Sequence, residues 1–143
     1  MSLLALWTVT GILTVAILGW LLQRELLKDR FAAIFARGRD TRVASRASLV
    51  EGAQKIDVAL MLEPSEIFYA SGDLEAHIAL DRIDEVEYDN ELATGGQVDK
   101  GRVLRLRSHG YAYEFVLGDR DAASWASHLP PHRMNEPGRV HIE

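Results

Sequence analysis

The first 23 residues of this 143-residue chain carry no ionisable side chain, and the 23 that follow are dense in charge. Leu3 to Leu22 is a run of twenty residues, eleven of them Leu, Ile or Val. As a helix it would span roughly 30 Å, about the thickness of a bilayer's hydrocarbon core. On an insertion scale the aliphatic residues contribute roughly −3 to −7 kcal/mol. Trp7 and Trp20 fall near its two ends, where interfacial indoles favour headgroups. The run exceeds a signal-peptide core, lacks a basic leader and is followed by no small-x-small cleavage site, so the expectation is a retained transmembrane helix over 1–23.

Charge is distributed asymmetrically. Between Arg24 and Arg46 there are seven basic and three acidic residues, a net of +4, whereas 47–143 holds nine basic and eighteen acidic residues, a net of −9. Basic residues therefore flank one side of the apolar run. The positive-inside rule puts the short N-terminus outside and the C-terminal body in the cytoplasm of a single-pass inner-membrane protein, with the lipid bilayer as its first partner. Leu22, Leu26, Leu27, Phe31, Ile34 and Phe35 recur at three- and four-residue spacing, so the helix continues as an amphipathic collar ended by Gly38. Trp7, Trp20, Arg24, Lys28, Arg30, Phe31 and Phe35 form the candidate membrane interface. Thr10 and Thr14 have the spacing of a small-residue contact, which leaves a homodimer open. "RGRDTRVASRAS" (37–48) reads as a linker, giving a basic juxtamembrane segment over 24–48.

From Val50 the hydrophobic period becomes two. In "GRVLRLRSHGYAYEFVLGD", a two-residue turn at His109-Gly110 pairs Ser108 with Tyr111, Arg107 with Ala112, Leu106 with Tyr113, Arg105 with Glu114 and Leu104 with Phe115. That register sorts the apolar pairs onto one face and the ion pair onto the other. Upstream, strands are predicted over Lys55–Leu62, Ile67–Ser71, Leu74–Leu80 and Ile83–Asp89, with turns at Glu63–Glu66 and Gly72-Asp73. Asn90–Gly101 reads as a long loop. "RDAASWASHL" predicts a short helix capped by Asp119 or Asp121, with Trp125 and Leu129 on its buried side, stopping at Pro130-Pro131. Residues 132–143 read as a flexible tail.

"VALMLEPSEIFYASGDLEAHIALDRIDEVEY" and "VLRLRSHGYAYEFVLGDRDAASWASHL" together resemble the bacterial pleckstrin-homology-like domains, the GRAM-like group included, over roughly residues 50–130. The stretch "IALDRIDEV" carries the family's spacing of apolar positions. The resemblance implies two antiparallel, nearly orthogonal sheets capped by a C-terminal helix, with the domain at 49–131 and the missing seventh strand in Leu49–Ala53 or in 90–101. The expected fold class is thus an N-terminal single transmembrane α-helix plus a mainly β PH-like domain.

The family's lipid-binding residues do not carry over. The loop taken as the first hairpin, Glu63-Pro64-Ser65-Glu66, holds two carboxylates that repel phosphate. Absence of cysteine removes disulfides, thiol catalysis and zinc–thiolate sites. His128 and His132 have helical metal-ligand spacing, but Pro130 and Pro131 lie between them. No nucleophile–base pair, cofactor motif or metal cluster stands out, and the acidic body disfavours nucleic acid. The functional expectation is a membrane-anchored, non-enzymatic module that docks a protein, a basic one on charge grounds, with Arg105, Arg107 and Trp125 as candidate partner-binding residues. The alternative is a membrane-surface sensor of headgroups or a small ligand. For Arg105 and Arg107 a cross-strand ion-pair role with Glu114 and Glu85 or Glu87 is the simpler expectation.

Overall fold

A computed structural model describes residues 3–37 and 40–133, with side chains of the N-terminal helix described from Gly11 onward, Leu27 excepted. Two units result, divided at Ala36/Arg37. The first is one continuous helix, α1 (Leu3–Arg37). It passes through the charge boundary at Arg24 without a break. Ile12, Val15 and Leu22 are among its exposed apolar side chains.

Among the described residues no helix is long and apolar enough to cross a membrane. Charge enters α1 at Arg24, and Glu25, Lys28, Asp29, Arg30 and Arg37 follow along the same helix. The expected transmembrane helix, the inner-membrane location and the orientation derived from it are therefore corrected.

The second unit is mainly β. Its strands are β1 (Val43–Glu51), β2 (Gln54–Leu62), β3 (Glu66–Ala70), β4 (Glu75–Ala79), β5 (Glu85–Asp89), β6 (Arg102–Ser108), β7 (Tyr111–Leu117) and the two-residue β8 (His132–Arg133). A 3-10 turn at Leu80–Arg82 joins β4 to β5, and helix α2 (Asp119–His128) joins β7 to β8. All eight strands belong to one antiparallel sheet in the order β4-β3-β2-β1-β7-β6-β5-β8. This corrects the expectation of two separate sheets. The reason is β1, whose Ser48, Leu49 and Val50 pair with Val116, Phe115 and Glu114, stitching the N-terminal meander to the C-terminal one.

β1 also corrects the linker reading, because six residues read as linker form its first part. Val43, Ser45, Ala47 and Leu49 alternate with more exposed neighbours and face the core. Two of those inward positions are small. Ser45 lies where Trp125 needs an acceptor: the indole Nε1–H donates to Ser45 Oγ at 2.7 Å.

The core gathers Leu49, Val58, Leu60, Ile67, Leu104, Leu106, Phe115 and Leu117, with Trp125 fully buried beneath α2. Trp125 and Leu129 share the buried side of that helix as expected. The predicted Asp cap is not made. Gly118 is the N-cap and no side chain caps the helix, so Asp119 and Asp121 act through the charge they place in the first turn. Gly101 cannot carry a side chain: its φ is +97°, and a Cβ there would sit 2.1 Å from the Leu117 carbonyl oxygen.

The β6–β7 hairpin has the predicted register at all five pairs. Its turn residues both have positive φ, 51° at His109 and 78° at Gly110, as a type I′ turn requires. His109 pays for that turn in backbone strain, since asparagine or glycine adopts the conformation more readily. Replacing His109 with Asn is expected to raise stability by about 0.5–1 kcal/mol, read as a higher urea midpoint at unchanged slope.

Candidate functional site

The β unit carries a trough of about 490 Å³ between α2 and the sheet's end, within the range typical of ligand pockets. Its helical wall is made of Asp119, Ala122, Ala123 and Ala126, residues three, four and seven apart and therefore on one side of α2. Alanines leave the space open. Glu87 and Tyr88 of β5 form the opposite wall, Arg102 of β6 closes one side, and Pro131 lines the trough past the end of the helix. Tyr88 is fixed by its hydroxyl, which donates to the Leu129 carbonyl at 2.8 Å. Burial pushes its phenol far above the ordinary value, so it is a permanent donor. The lining is largely apolar, with the Asp119 carboxylate and the Arg102 guanidinium at its edge, while the Glu87 carboxylate turns to Arg105 on the other face of the sheet.

The proposed partner-binding residues do not gather here. Trp125 has no exposed surface and is a core residue. Arg105 is buried on the opposite face of the sheet from the core. Its Nη2 donates to Glu114 at 3.1 Å and to the Glu91 carbonyl at 2.8 Å, and its Nη1 reaches Glu87 at 3.0 Å and Asp89 at 3.4 Å. Burial alone would lower its pKa, but the hydrogen bonds and charges of Glu87 and Glu114 outweigh it and the net shift is upward. Glu114 is equally buried and also accepts the Ala93 N–H at 3.0 Å. The pair therefore clamps the 90–98 loop over the sheet. Asp89 titrates below its ordinary value, first because it accepts the Asn90 N–H and then through Glu91 N–H and Arg105, with desolvation opposing them. Arg107 is exposed, and its Nε lies 3.3 Å from Glu85, which also meets Arg133 at 2.9 Å. The ion-pair role expected for both arginines is the one observed.

Of the residues assigned to a membrane interface, the Trp7 side chain lies outside those described. Trp20 is exposed, with the Arg24 guanidinium 5.6 Å from its ring centroid. Lys28 pairs with Glu25 at 2.9 Å. Arg30, Phe31 and Phe35 follow on the same helix.

The first hairpin loop is also relocated. It is the turn at Gly52-Ala53 between β1 and β2, flanked by Glu51 and Lys55, and Glu63–Glu66 is the second. His128 Nδ1 lies 3.0 Å from the Ser124 carbonyl and His132 Nδ1 3.0 Å from that of Pro130. Among the described residues no group of His, Asp and Glu has the geometry to hold a metal. Gly38 and residues 134–143 of the expected tail lie outside the described residues.

Sequence reasoning missed the trough's walls. The signal for one of them was present: Ala122, Ala123 and Ala126 recur at helical spacing opposite no large partner. No family model matches this chain, and no curated protein does.

Proposed function

We propose that the β unit is a non-enzymatic protein-interaction module that holds a peptide segment in the trough beside α2. The observation that carries this reading is the trough itself: an open channel with a wall of alanines, a fixed tyrosine facing it, Pro131 past the end of the helix, and Asp119 and Arg102 at its edge. Such a channel suits an apolar anchor residue. The net charge of −9 over 47–143 steers basic segments toward the domain.

Ala123 is exposed on the trough wall, so Ala123→Arg fills the channel and adds a positive charge to it with little cost to the fold. Peptides selected from a random library on the wild-type chain are expected to carry a basic residue beside an apolar anchor and to bind Ala123→Arg at least about tenfold more weakly, a loss of about 1.4 kcal/mol. Selected peptides that bind both proteins equally would remove the trough as the site.

A further inference from the structure

The end of the core away from α2 has a different chemistry. Tyr111 and Tyr113 follow Phe115 backward along the inward-facing side of β7, and Tyr69 of β3 completes the group. Tyr111 and Tyr113 meet edge-on with centroids 4.6 Å apart, Tyr113 and Tyr69 lie 6.3 Å apart at 59°, and Tyr69 rests edge-on against Phe115 at 5.3 Å. The group runs from the core to the surface: Tyr69 is buried, Tyr113 half-buried, and Tyr111 is 52% exposed. Outside α1, Tyr111 is the exposed large hydrophobic side chain among the described residues.

Glu51 closes this end. It continues the inward-facing alternation of β1 after Leu49, at the last rung before the Gly52-Ala53 turn. It is close enough to the tyrosines that its charge adds to burial and to Tyr113 in raising the phenol pKa of Tyr69. Glu51 is exposed and takes part in no ion pair among those of the described residues.

Tyrosine faces carry negative quadrupole charge, and a carboxylate beside them adds a full negative charge. We infer that Tyr111, Tyr113 and Glu51 form a cation-binding site for the ammonium group of a lysine side chain presented by a basic protein segment. The lysine's methylenes lie along the exposed Tyr111 ring while its ammonium meets Glu51. Lysine is the occupant because a compact ammonium on a flexible four-carbon stem can lay its methylenes on one ring and reach a single carboxylate, and because the acidic body concentrates basic polypeptides around it. This site lies at the opposite end of the core from the α2 trough and does not depend on it.

The four tyrosines of the chain make the test self-controlled. Tyr69, Tyr111 and Tyr113 belong to the site, and Tyr88 lines the trough. The full chain is labelled with ring-¹³C tyrosine and titrated by NMR with a lysine pentapeptide, with sodium chloride at matched ionic strength as reference. The expected result is a saturable shift of Tyr111 and Tyr113 with Tyr88 unmoved. Tyr111→Ala and Glu51→Gln each weaken it about three- to tenfold, and Tyr111→Phe retains it. Movement of Tyr88 with the same midpoint, no saturable movement at all, or indifference to both weakening variants overturns the site. A stronger response to phosphatidylcholine vesicles than to the peptide overturns lysine as its occupant.

Discussion

Arg105→Ala is expected to cost about 3–5 kcal/mol of folding free energy and to free the 90–98 loop. The cause is not the loss of an attractive pair as such. Glu114 is 7% exposed and sits directly opposite Arg105 in the β6–β7 register. Removing the guanidinium leaves that carboxylate buried with the Ala93 N–H as its remaining partner and withdraws the donor to the Glu91 carbonyl. Equilibrium urea unfolding reads the stability, and amide exchange at Leu92, Gly95 and Val98, whose N–H groups bond within the loop, reads the loop. The double variant Arg105→Met, Glu114→Leu discriminates. Replacing both charges by apolar chains removes the desolvation penalty along with the attraction, so it is expected to recover most of the loss. A double variant as unstable as the single one would mean that the clamp, and not the stranded charge, sets the cost.

Trp125→Ala is the second large effect, about 3–5 kcal/mol, because it empties the largest fully buried side chain in the domain. Trp125→Phe separates packing from hydrogen bonding. It keeps most of the ring volume but leaves the buried Ser45 hydroxyl without the indole N–H, a loss of about 1–3 kcal/mol. Adding Ser45→Ala to Trp125→Phe is expected to return part of that loss, and calorimetric melting of the three variants checks it.

These same residues show where the sequence was readable. The β6–β7 hairpin could be placed to the residue because two independent patterns, apolar pairs and opposite charges, admitted a single register. β1 could not, because its inward positions include Ser45 and Ala47. What makes a serine a core residue there is Trp125, eighty positions later. The two-sheet expectation failed for the same reason, since without β1 nothing in the sequence joins the meanders. At the N-terminus, the apolar run was weighed by itself, whereas α1 carries on from it through Arg24, Glu25, Lys28, Asp29 and Arg30 as one helix. The trough was missed because nothing in the sequence sets β5 and Pro131 beside the alanines of α2, and only the fold brings them together. The tyrosine group was hidden because Tyr69 lies on another strand, and only the fold brings it to Tyr113.

The central place of β1 governs how the domain can be made. Its left-hand neighbour is available within a dozen residues, but its right-hand neighbour leaves the ribosome only after β3, β4, β5 and β6. Until Tyr111–Leu117 emerges, a nascent chain holds a four-strand meander with β1 as a naked, pairing-competent border. A polypeptide cut anywhere before that hairpin keeps this border indefinitely, and self-association along it is the fate that full synthesis prevents.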